Sequence, residues 1–234
     1  MKLRQIALAA THLEPIRSNL LTLLGLTSDF ADPGVGEFGL HNTVQTIGNT
    51  YLEVVAPNRP DTAAGRTLAS RGEPLCGYMV LFQVNDFAAF DVRLNQQKLR
   101  KVWQINRPEV CAAHVHPKDI SGAIVSFDEM RPADEWIWAG PGWRERRARH
   151  ATSIVGCEVG AVDPDALCRR WAEVLDVVPR KNTLQLDGNT YVSFTEANRD
   201  GVQKAIIATP TPDNMNERAA ALGLGAVLNF VAEM

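Results

Sequence analysis

Short apolar runs recur at four places along the chain, and each is followed by residues with a helical period. The runs cover residues 6–10, 79–84, 153–159 and 205–208. Runs of this length that end at turn or cap residues are typical of buried strands. The pattern therefore predicts four strand-helix units in succession.

The helix after the third run has the clearest pattern. Asp163 occupies the N-cap position, and Pro164 follows at the first helical position, where its missing N–H is tolerated. Apolar residues then recur on one face of the helix, at Leu167, Trp171, Val174 and Leu175. The other helices follow the same rules of capping and termination, with starts near Ile16, Asp86 and Thr211 and glycine stops at Gly25 and Gly223.

A four-residue motif occurs twice in the sequence. Gly-Asn-Thr-Tyr stands at residues 48–51 and again at 188–191, and each copy opens a β-rich run. A third glycine-containing turn at residues 121–123 precedes a similar run that ends at Phe127. Such turns are typical of hairpins. The sequence thus predicts three modules of strand, helix and further strands, and a fourth that is cut short near Phe230.

Two segments rich in Pro and Gly interrupt the modules, at residues 57–74 and 129–150. Clusters of these residues are typical of linkers, and the first segment also leaves room for a short helix at residues 62–69. We predict the domain boundary in the second segment. The expected organisation is a two-module domain at residues 1–130, a linker at 131–150, and a smaller half at 151–234 with one module plus a truncated one.

The charge balance favours a small molecule as the partner. The net charge is −3 at pH 7 and the pI is near 6.0, so no strong field would attract nucleic acid or an anionic membrane. No stretch approaches the ~18 consecutive apolar residues of a membrane helix. The apolar run near the N-terminus is too short for an export signal. We expect a cytoplasmic monomer or homodimer without nucleic-acid or membrane partners.

Several chemistries are disfavoured by the absence of their motifs. Cys76, Cys111, Cys157 and Cys168 lack the paired spacing of a zinc site or disulfide framework, which predicts reduced and mostly buried thiols. The sequence has no glycine-rich phosphate loop, no nucleophile elbow and no histidine-glutamate zinc helix. Kinase, serine hydrolase and dinucleotide dehydrogenase activities are therefore not expected.

Two stretches resemble a known superfamily. One runs from Leu40-His41-Asn42 through the first Gly-Asn-Thr-Tyr motif to Pro57, and the other contains His114-Val115-His116-Pro117 and Gly122-Ala123-Ile124-Val125. Together with the modules they resemble the glyoxalase-like domains of the vicinal-oxygen-chelate superfamily, which includes glyoxalase I, extradiol dioxygenases and methylmalonyl-CoA epimerase. The resemblance implies an α+β fold of repeated βαβββ modules that form curved mixed sheets around a small-molecule pocket.

The resemblance also implies positions for metal ligands. In the superfamily these come from the first strand of a module, usually as His, and from its last strand, usually as Glu. The matching positions are Gln5 and Glu53 in module one, Met79 and Ser126 in module two, and Ser193 in module three. Because few of the usual ligand types are present, no cofactor is assigned, and a divalent metal stays open as an alternative.

Glu53 is the candidate catalytic residue. It interrupts an apolar run, and period-two alternation puts it on the same face as Tyr51 and Val55. If that face lines the cavity, the carboxylate needs a cation, a hydrogen-bond donor or a ligand, or must be protonated. The alternative is an amphipathic strand in which Glu53 faces water. We favour the cavity because functional carboxylates concentrate in clefts.

Gln5 and Ser126 are candidate substrate-binding residues. Gln5 shares a face with Ala7 and Ala9, whose small side chains would leave room for a ligand. The equally weighted alternative is that Gln5 is a polar residue on a frayed terminal strand. Ser126 is included because it occupies the last-strand position that the resemblance assigns to module two.

Three histidines are further candidates for substrate binding. His114 and His116 are two residues apart on one predicted strand, so both rings would project to the same side, a spacing that metals use. A metal site would need Glu53 or His41 as additional ligands from another module. The alternative, which we favour, is that His116 ends the strand at a turn and has a hydrogen-bonded ring.

Trp138 is the last candidate. With Trp136 and Trp143 it flanks the sequence Gly140-Pro141-Gly142. This aromatic linker could fold over the mouth of the cavity and bind an apolar or ring-bearing ligand, or it could pack the two halves together. The nearby run of arginines at residues 144–149 is expected to be a solvated face.

These observations predict a glyoxalase-like protein that binds a small oxygenated metabolite in the cup of the N-terminal module pair. Glu53 would serve as general base or carboxylate ligand in a lyase, isomerase or dioxygenase reaction. The competing hypothesis is a metal-free protein that binds or sequesters a small molecule without catalysis. The sequence leaves open whether the protein is an enzyme.

Overall fold

The structure is a computed structural model that describes residues 1–233. It contains twelve strands and five α-helices. The strands are β1 (Lys2–Ala10), β2 (Leu40–Ile47), β3 (Thr50–Pro57), β4 (Leu75–Gln83), β5 (Lys101–Arg107), β6 (Val110–Val115), β7 (Ile124–Met130), β8 (Ser153–Ala161), β9 (Thr183–Gln185), β10 (Tyr191–Glu196), β11 (Gly201–Thr209) and β12 (Leu228–Ala232). The helices are α1 (Ile16–Leu24), α2 (Ala63–Arg71), α3 (Phe87–Gln96), α4 (Pro164–Leu175) and α5 (Pro212–Ala221).

The strands form two mixed sheets. The seven-stranded sheet has the order β2-β3-β1-β4-β7-β6-β5, and the five-stranded sheet has the order β12-β11-β8-β10-β9. Both sheets contain parallel and antiparallel pairs, such as β1 with β3 and β2 with β3 in the larger one. A helix lies in each connection between parallel strands, whereas a short turn joins β2 to β3. The predicted α+β class and its curved mixed sheets are confirmed.

The modules differ in how many strands they contain. The second module, β4 through β7 with α3, has the full βαβββ order, whereas the first and third have three strands each. In the first module an isolated antiparallel bridge between Phe30 and Val44 lies on the outer edge of β2. In the part of the chain that the structure describes, the fourth module contains β11, α5 and β12.

Most of the predicted helix boundaries are formed by the expected caps. The carboxylates of Asp163 and Asp86 accept hydrogen bonds from the backbone N–H groups of Ala166 and Ala89, respectively. Gly25 ends α1 in the left-handed conformation, with φ of 68°. Thr211 precedes α5, but its side chain makes no capping hydrogen bond.

Two expectations about the whole chain can be compared directly with the structure. All four cysteines are free and buried, as predicted. Within residues 1–233, the longest apolar helices fall short of what is needed to cross a membrane.

The chain divides into two compact units, each made of three segments. The Glu53 unit comprises Gln5–Tyr78, Trp138–Val155 and Gln203–Met234. The Trp171 unit comprises Met1–Arg4, Met79–Ile137 and Gly156–Val202. The domains expected from the sequence are consecutive stretches of chain on either side of residues 131–150. That boundary stays a prediction.

Within the Glu53 unit, the β2-β3 hairpin is pinned at its turn. Gly48 has φ of +61°, and a side chain there would put its Cβ 1.9 Å from the carbonyl oxygen of Thr152. The hydroxyl of Thr50 accepts a hydrogen bond of 2.7 Å from the backbone N–H of Ile154. The first Gly-Asn-Thr-Tyr motif therefore combines a tight turn with a close backbone approach that only glycine permits.

Within the Trp171 unit, the apolar stripe of α4 is buried as predicted. The Trp171 ring is inaccessible to solvent and lies edge-on to Phe82 and Phe194, with ring centroids 6.3 and 5.6 Å away. Its Nε1 donates to the carbonyl oxygen of Ser121 at 2.8 Å. The indole thus has its large apolar surface packed and its polar atom satisfied.

Candidate functional site

Glu53 lies in the middle of β3, between β1 on one side and β2 on the other. Its register partners are Ala7 in β1 and Val44 in β2. Paired residues of neighbouring strands share a face of the sheet, and so do alternate residues of one strand. Only 8% of Glu53 is exposed, which excludes the alternative in which the carboxylate faces bulk water. We call this side of β1, β2 and β3 the Glu53 face.

Two side-chain amides hold the Glu53 carboxylate. Gln5 Nε2 donates to Oε2 at 2.7 Å, and Asn42 Nδ2 donates to Oε1 at 2.6 Å. Gln5 is 2% exposed and Asn42 4%, so both amides are buried beside the carboxylate. Each oxygen of the buried acid therefore has a neutral donor, which meets the requirement that a buried polar group be hydrogen-bonded.

The orientation of the Asn42 amide is fixed by a third group. The backbone N–H of Asp32 donates to Asn42 Oδ1 at 2.8 Å. Because the carbonyl oxygen of the amide is the acceptor for Asp32, its NH₂ group must be the end that faces Glu53. Asn42 therefore bridges a backbone donor and the buried carboxylate.

Burial dominates the electrostatics at Glu53. It raises the pKa of the carboxyl from 4.5 to about 7, although the hydrogen bonds from Asn42 and Gln5 act in the opposite direction. The carboxylate of Asp32 raises this pKa further, and burial raises the pKa of Asp32 itself. Among the described residues, none forms an ion pair with Glu53. The group is therefore poised to gain or lose a proton near neutral pH.

Tyr78 is the other titratable group near this carboxylate. It is 7% exposed, and burial raises the pKa of its phenol to about 12, with the negative charge of Glu53 as a further cause. Arg66 acts in the opposite direction on the phenol. Tyr78 therefore stays protonated at neutral pH and can serve as a hydrogen-bond donor near the site.

The structure brings Gln5 into hydrogen-bond contact with Glu53, and it places His114 opposite Ser126 in the register of β6 and β7. His41 belongs to the same unit but is exposed, and it precedes Asn42 on β2, so its side chain projects to the opposite face. Trp138 is half-buried in a short 3₁₀ helix, Ile137–Ala139. The indole that packs against the Glu53 face is that of Trp143, which lies edge-on to Tyr51 at 5.6 Å.

The remaining candidates belong to the Trp171 unit. The His114 ring packs on Trp103 at 4.5 Å between centroids, and burial lowers its pKa to about 4. The strand ends at Val115, so His116 lies in the turn that follows, and its Nδ1 accepts from the Lys118 N–H at 3.0 Å. The Ser126 hydroxyl is buried and donates to the Ala113 carbonyl at 3.4 Å.

The donor set at Glu53 does not fit the divalent ion that the superfamily implies. Nowhere in residues 1–233 do three His, Cys, Asp or Glu side chains come together as a metal site requires. Both oxygens of Glu53 accept from amide N–H groups, which compete for the lone pairs that a cation would use. A single carboxylate with two N–H donors is the environment of a proton acceptor rather than of a metal ligand.

Asn42, Asp32 and Tyr78 are site residues that the sequence analysis missed. A signal for Asn42 was present, because a two-residue turn at Gly48-Asn49 pairs residue 47 with residue 50 and so sets Asn42 diagonally across from Glu53. The contribution of Asp32 comes from a backbone N–H in a loop, which has no sequence signature.

The sheet topology and the modules define the vicinal-oxygen-chelate fold. A variant of 4-hydroxymandelate synthase from Streptomyces coelicolor is similar over 95% of this chain and 75% of its own, with a TM-score of 0.68 and 14% identity. A hypothetical protein from Staphylococcus aureus is similar over 89% and 91%, with a TM-score of 0.67 and 12% identity. Methylmalonyl-CoA epimerase from Mycobacterium tuberculosis matches 55% of this chain and 87% of its own, with a TM-score of 0.48 and 18% identity.

No protein-family model and no curated protein matches the sequence. The likeness to 4-hydroxymandelate synthase and to the staphylococcal protein establishes the fold. Identities of 14% and 12% do not extend to activity, because one fold supports many chemistries.

Proposed function

We propose that this protein binds a small oxygenated metabolite at the Glu53 face and that Glu53 accepts a proton from it without the help of a metal. The observation that supports the proposal is a buried carboxylate held by two neutral amide donors and lacking a cationic partner among the described residues. Proton transfer from a ligand to such a carboxylate is favourable, because it neutralises a buried charge that has no counter-ion.

As an enzyme, the protein would be a lyase or isomerase that begins with proton abstraction next to a carbonyl group. The C–H proton passes to a Glu53 oxygen, and the electron pair of that bond becomes part of the enolate. A carboxylate with a pKa of about 7 is suited to this task, because it is substantially ionised near neutral pH and still basic. The dioxygenase alternative is not supported, since its metal does not fit the donor set at Glu53.

The second candidate function is binding or sequestration without catalysis. It is supported by the chemistry of the two side chains that contact Glu53, Gln5 and Asn42. Amides orient a carboxylate but do not exchange protons with a substrate, so neither can act as the partner acid of Glu53. The cytoplasmic location and the monomeric or homodimeric state expected from the sequence stay predictions.

A metabolite library screened by thermal shift tests the proposal. The screen uses the wild-type protein, Glu53→Gln, and Glu37→Gln as a control at an exposed glutamate. We expect ligands that stabilise the wild type and the control but not Glu53→Gln. A set of ligands that stabilises all three proteins equally would contradict a role for Glu53.

Proton exchange separates the two candidate functions. Each ligand found in the screen is incubated with the protein in D₂O and followed by proton NMR. Loss of a C–H signal next to a carbonyl, absent with Glu53→Gln, supports the enzyme, whereas an unchanged ligand supports the binding protein. Elemental analysis of protein purified without chelators completes the test, because one tightly held divalent ion per chain would contradict a metal-free site.

A further inference from the structure

The bridge formed by Asn42 connects Glu53 to a loop that lies outside the sheet. Asn42 is opposite Val55 in the register of the β2-β3 hairpin, and Val44 is opposite Glu53. Asn42 therefore approaches Glu53 along a diagonal, on the shared face of two neighbouring strands. This placement allows a side chain as short as asparagine to reach Oε1 at 2.6 Å.

The loop that orients Asn42 is itself fixed to the same strand. Phe30 and Val44 exchange two backbone hydrogen bonds, with the Phe30 N–H 3.1 Å from the Val44 oxygen and the Val44 N–H 2.7 Å from the Phe30 oxygen. Asp32 follows two residues later, and its N–H donates to Asn42 Oδ1. The Phe30–Asp32 segment is thus held by backbone hydrogen bonds at one end and by the Asn42 hydrogen bond at the other. The Asp32 N–H therefore stays in place and keeps the Asn42 amide from rotating.

We propose that Asn42 is a positioning residue for Glu53, held by the Phe30–Asp32 segment so that a donor always faces the carboxylate. This inference rests on the proposed function, since a fixed carboxylate matters most if a ligand meets it. Gln5 donates to Oε2 from β1, the strand on the other side of β3, and its side chain is longer than that of Asn42. The loop therefore controls one half of the carboxylate's environment.

The type of group that faces Oε1 determines which protonation state of Glu53 is favoured. A donor at Oε1 stabilises the ionised form of Glu53, and an acceptor in the same place would require a proton between the two groups. The carboxylate of Asp32 on the loop raises the pKa of Glu53. The charge of Glu53 raises the pKa of the Tyr78 phenol on β4, and Arg66 acts on that phenol in the opposite direction. Exchanging the donor for an acceptor at residue 42 is therefore the sharpest perturbation that the site offers.

Titration of the Glu53 carboxyl by NMR tests the inference. Protein labelled with ¹³C at the glutamate carboxyl carbon is titrated, and the Glu53 signal is assigned by its loss in Glu53→Gln. For Asn42→Asp the Asp32 N–H keeps an acceptor, while an oxygen replaces the donor at Glu53. We expect the midpoint of Glu53 to rise by about one pH unit or more. Asn42→Ala, which only removes the donor, should raise the midpoint by less.

A matched control removes an amide just after the end of β3, away from the site. Asn58 Nδ2 donates to the Leu40 oxygen at 3.3 Å, and the residue is exposed. Asn58→Asp should leave the Glu53 midpoint unchanged. A midpoint that is the same in both Asn42 variants and in the wild type would overturn the inference. If Asn42→Asp does not fold, Asn42→Ala alone decides the result.

Failure of the proposed function would look different from failure of this inference. If no ligand depends on Glu53, the thermal-shift screen shows no difference between the wild type and Glu53→Gln, while the midpoint still responds to Asn42. If Asn42 has no positioning role, the ligands still depend on Glu53, while the midpoint does not respond.

Discussion

The side chains of Gln5 and Glu53 meet across two parallel strands, with 2.7 Å between Nε2 and Oε2. Gln5 is opposite Tyr51 in the register and Glu53 is opposite Ala7, so the contact is diagonal. The resemblance to the superfamily implies a metal-binding histidine where Gln5 stands. A neutral amide in that place does not compensate the charge of Glu53. The free energy of unfolding should therefore depend on whether Glu53 is ionised.

The stability of the protein should depend on pH through Glu53. Its pKa is raised from 4.5 to about 7 on folding, chiefly by burial. Between these values the folded chain binds more protons than the unfolded chain, so stability falls as the pH rises from 4.5 to about 7. Glutamine does not titrate, so the variant is not destabilised in this way. The unfolding free energy of Glu53→Gln minus that of the wild type should therefore increase by roughly 1–3 kcal/mol as the pH rises over this range.

Urea unfolding of both proteins at several pH values measures this difference. Glutamine at residue 53 places an NH₂ group against one of the two amide donors, so the variant should be the less stable protein at low pH. The prediction therefore concerns the change with pH and not the value at one pH. Glu37→Gln, at an exposed position, should show a constant difference. A constant difference for Glu53→Gln as well would mean that the carboxyl is not buried in solution.

The two copies of the Gly-Asn-Thr-Tyr motif provide a matched pair of substitutions. Gly48 and Gly188 have similar positive φ values, +61° and +71°, but a Cβ meets the Thr152 oxygen only at Gly48. Both alanine substitutions incur the conformational cost of a left-handed residue, roughly 1–2 kcal/mol. We expect Gly48→Ala to lose a further ~1–3 kcal/mol in urea unfolding, because the backbone must move. Equal losses at both positions would show that the hairpin is not pinned at Thr152.

Removal of a side chain from the buried stripe of α4 should be costly. Leu167 is 7% exposed and lies among the buried residues of that helix. Leu167→Ala should lower the free energy of unfolding by ~2–5 kcal/mol, through lost burial and the cavity left behind. Arg169→Ala, at an exposed position of the same helix, is the control and should change stability little. An unchanged melting temperature for Leu167→Ala would contradict the packing of α4.

His114 should remain neutral in mildly acidic solution. Burial lowers its pKa from 6.5 to about 4, so the unfolded chain binds the extra proton over this range and the histidine contributes to loss of stability as the pH falls. The ring resonances of His114 in NMR should therefore titrate near pH 4. A midpoint near 6.5 for His114 would show that its ring is accessible to water.

The parts of the fold that sequence predicts well are those that depend on neighbouring residues. The caps at Asp86 and Asp163 and the stop at Gly25 follow from local hydrogen bonds and backbone conformation. The face of Glu53 follows from period-two alternation, and its burial from the apolar residues around it.

Other parts depend on pairing between distant segments, which the sequence alone does not show. The pairing of β1 with β3, which brings Gln5 to Glu53, needs the crossover through α1. His114 and His116 have the spacing of a metal pair, yet the strand ends between them and each has its own local partner. Spacing along one strand therefore indicates shared direction only as far as the strand continues.

The interleaved segments of the Glu53 unit bear on how the protein is made. Thr50 bonds to Ile154 across 104 positions, and Asn19 bonds to Leu222 across 203. Contacts of such long sequence separation slow folding, because loop closure must come before the contacts form. A ribosome delivers Thr50, on the strand with Glu53, 104 positions before its partner Ile154. That strand therefore stays incompletely covered during the interval, and chaperones can bind it then.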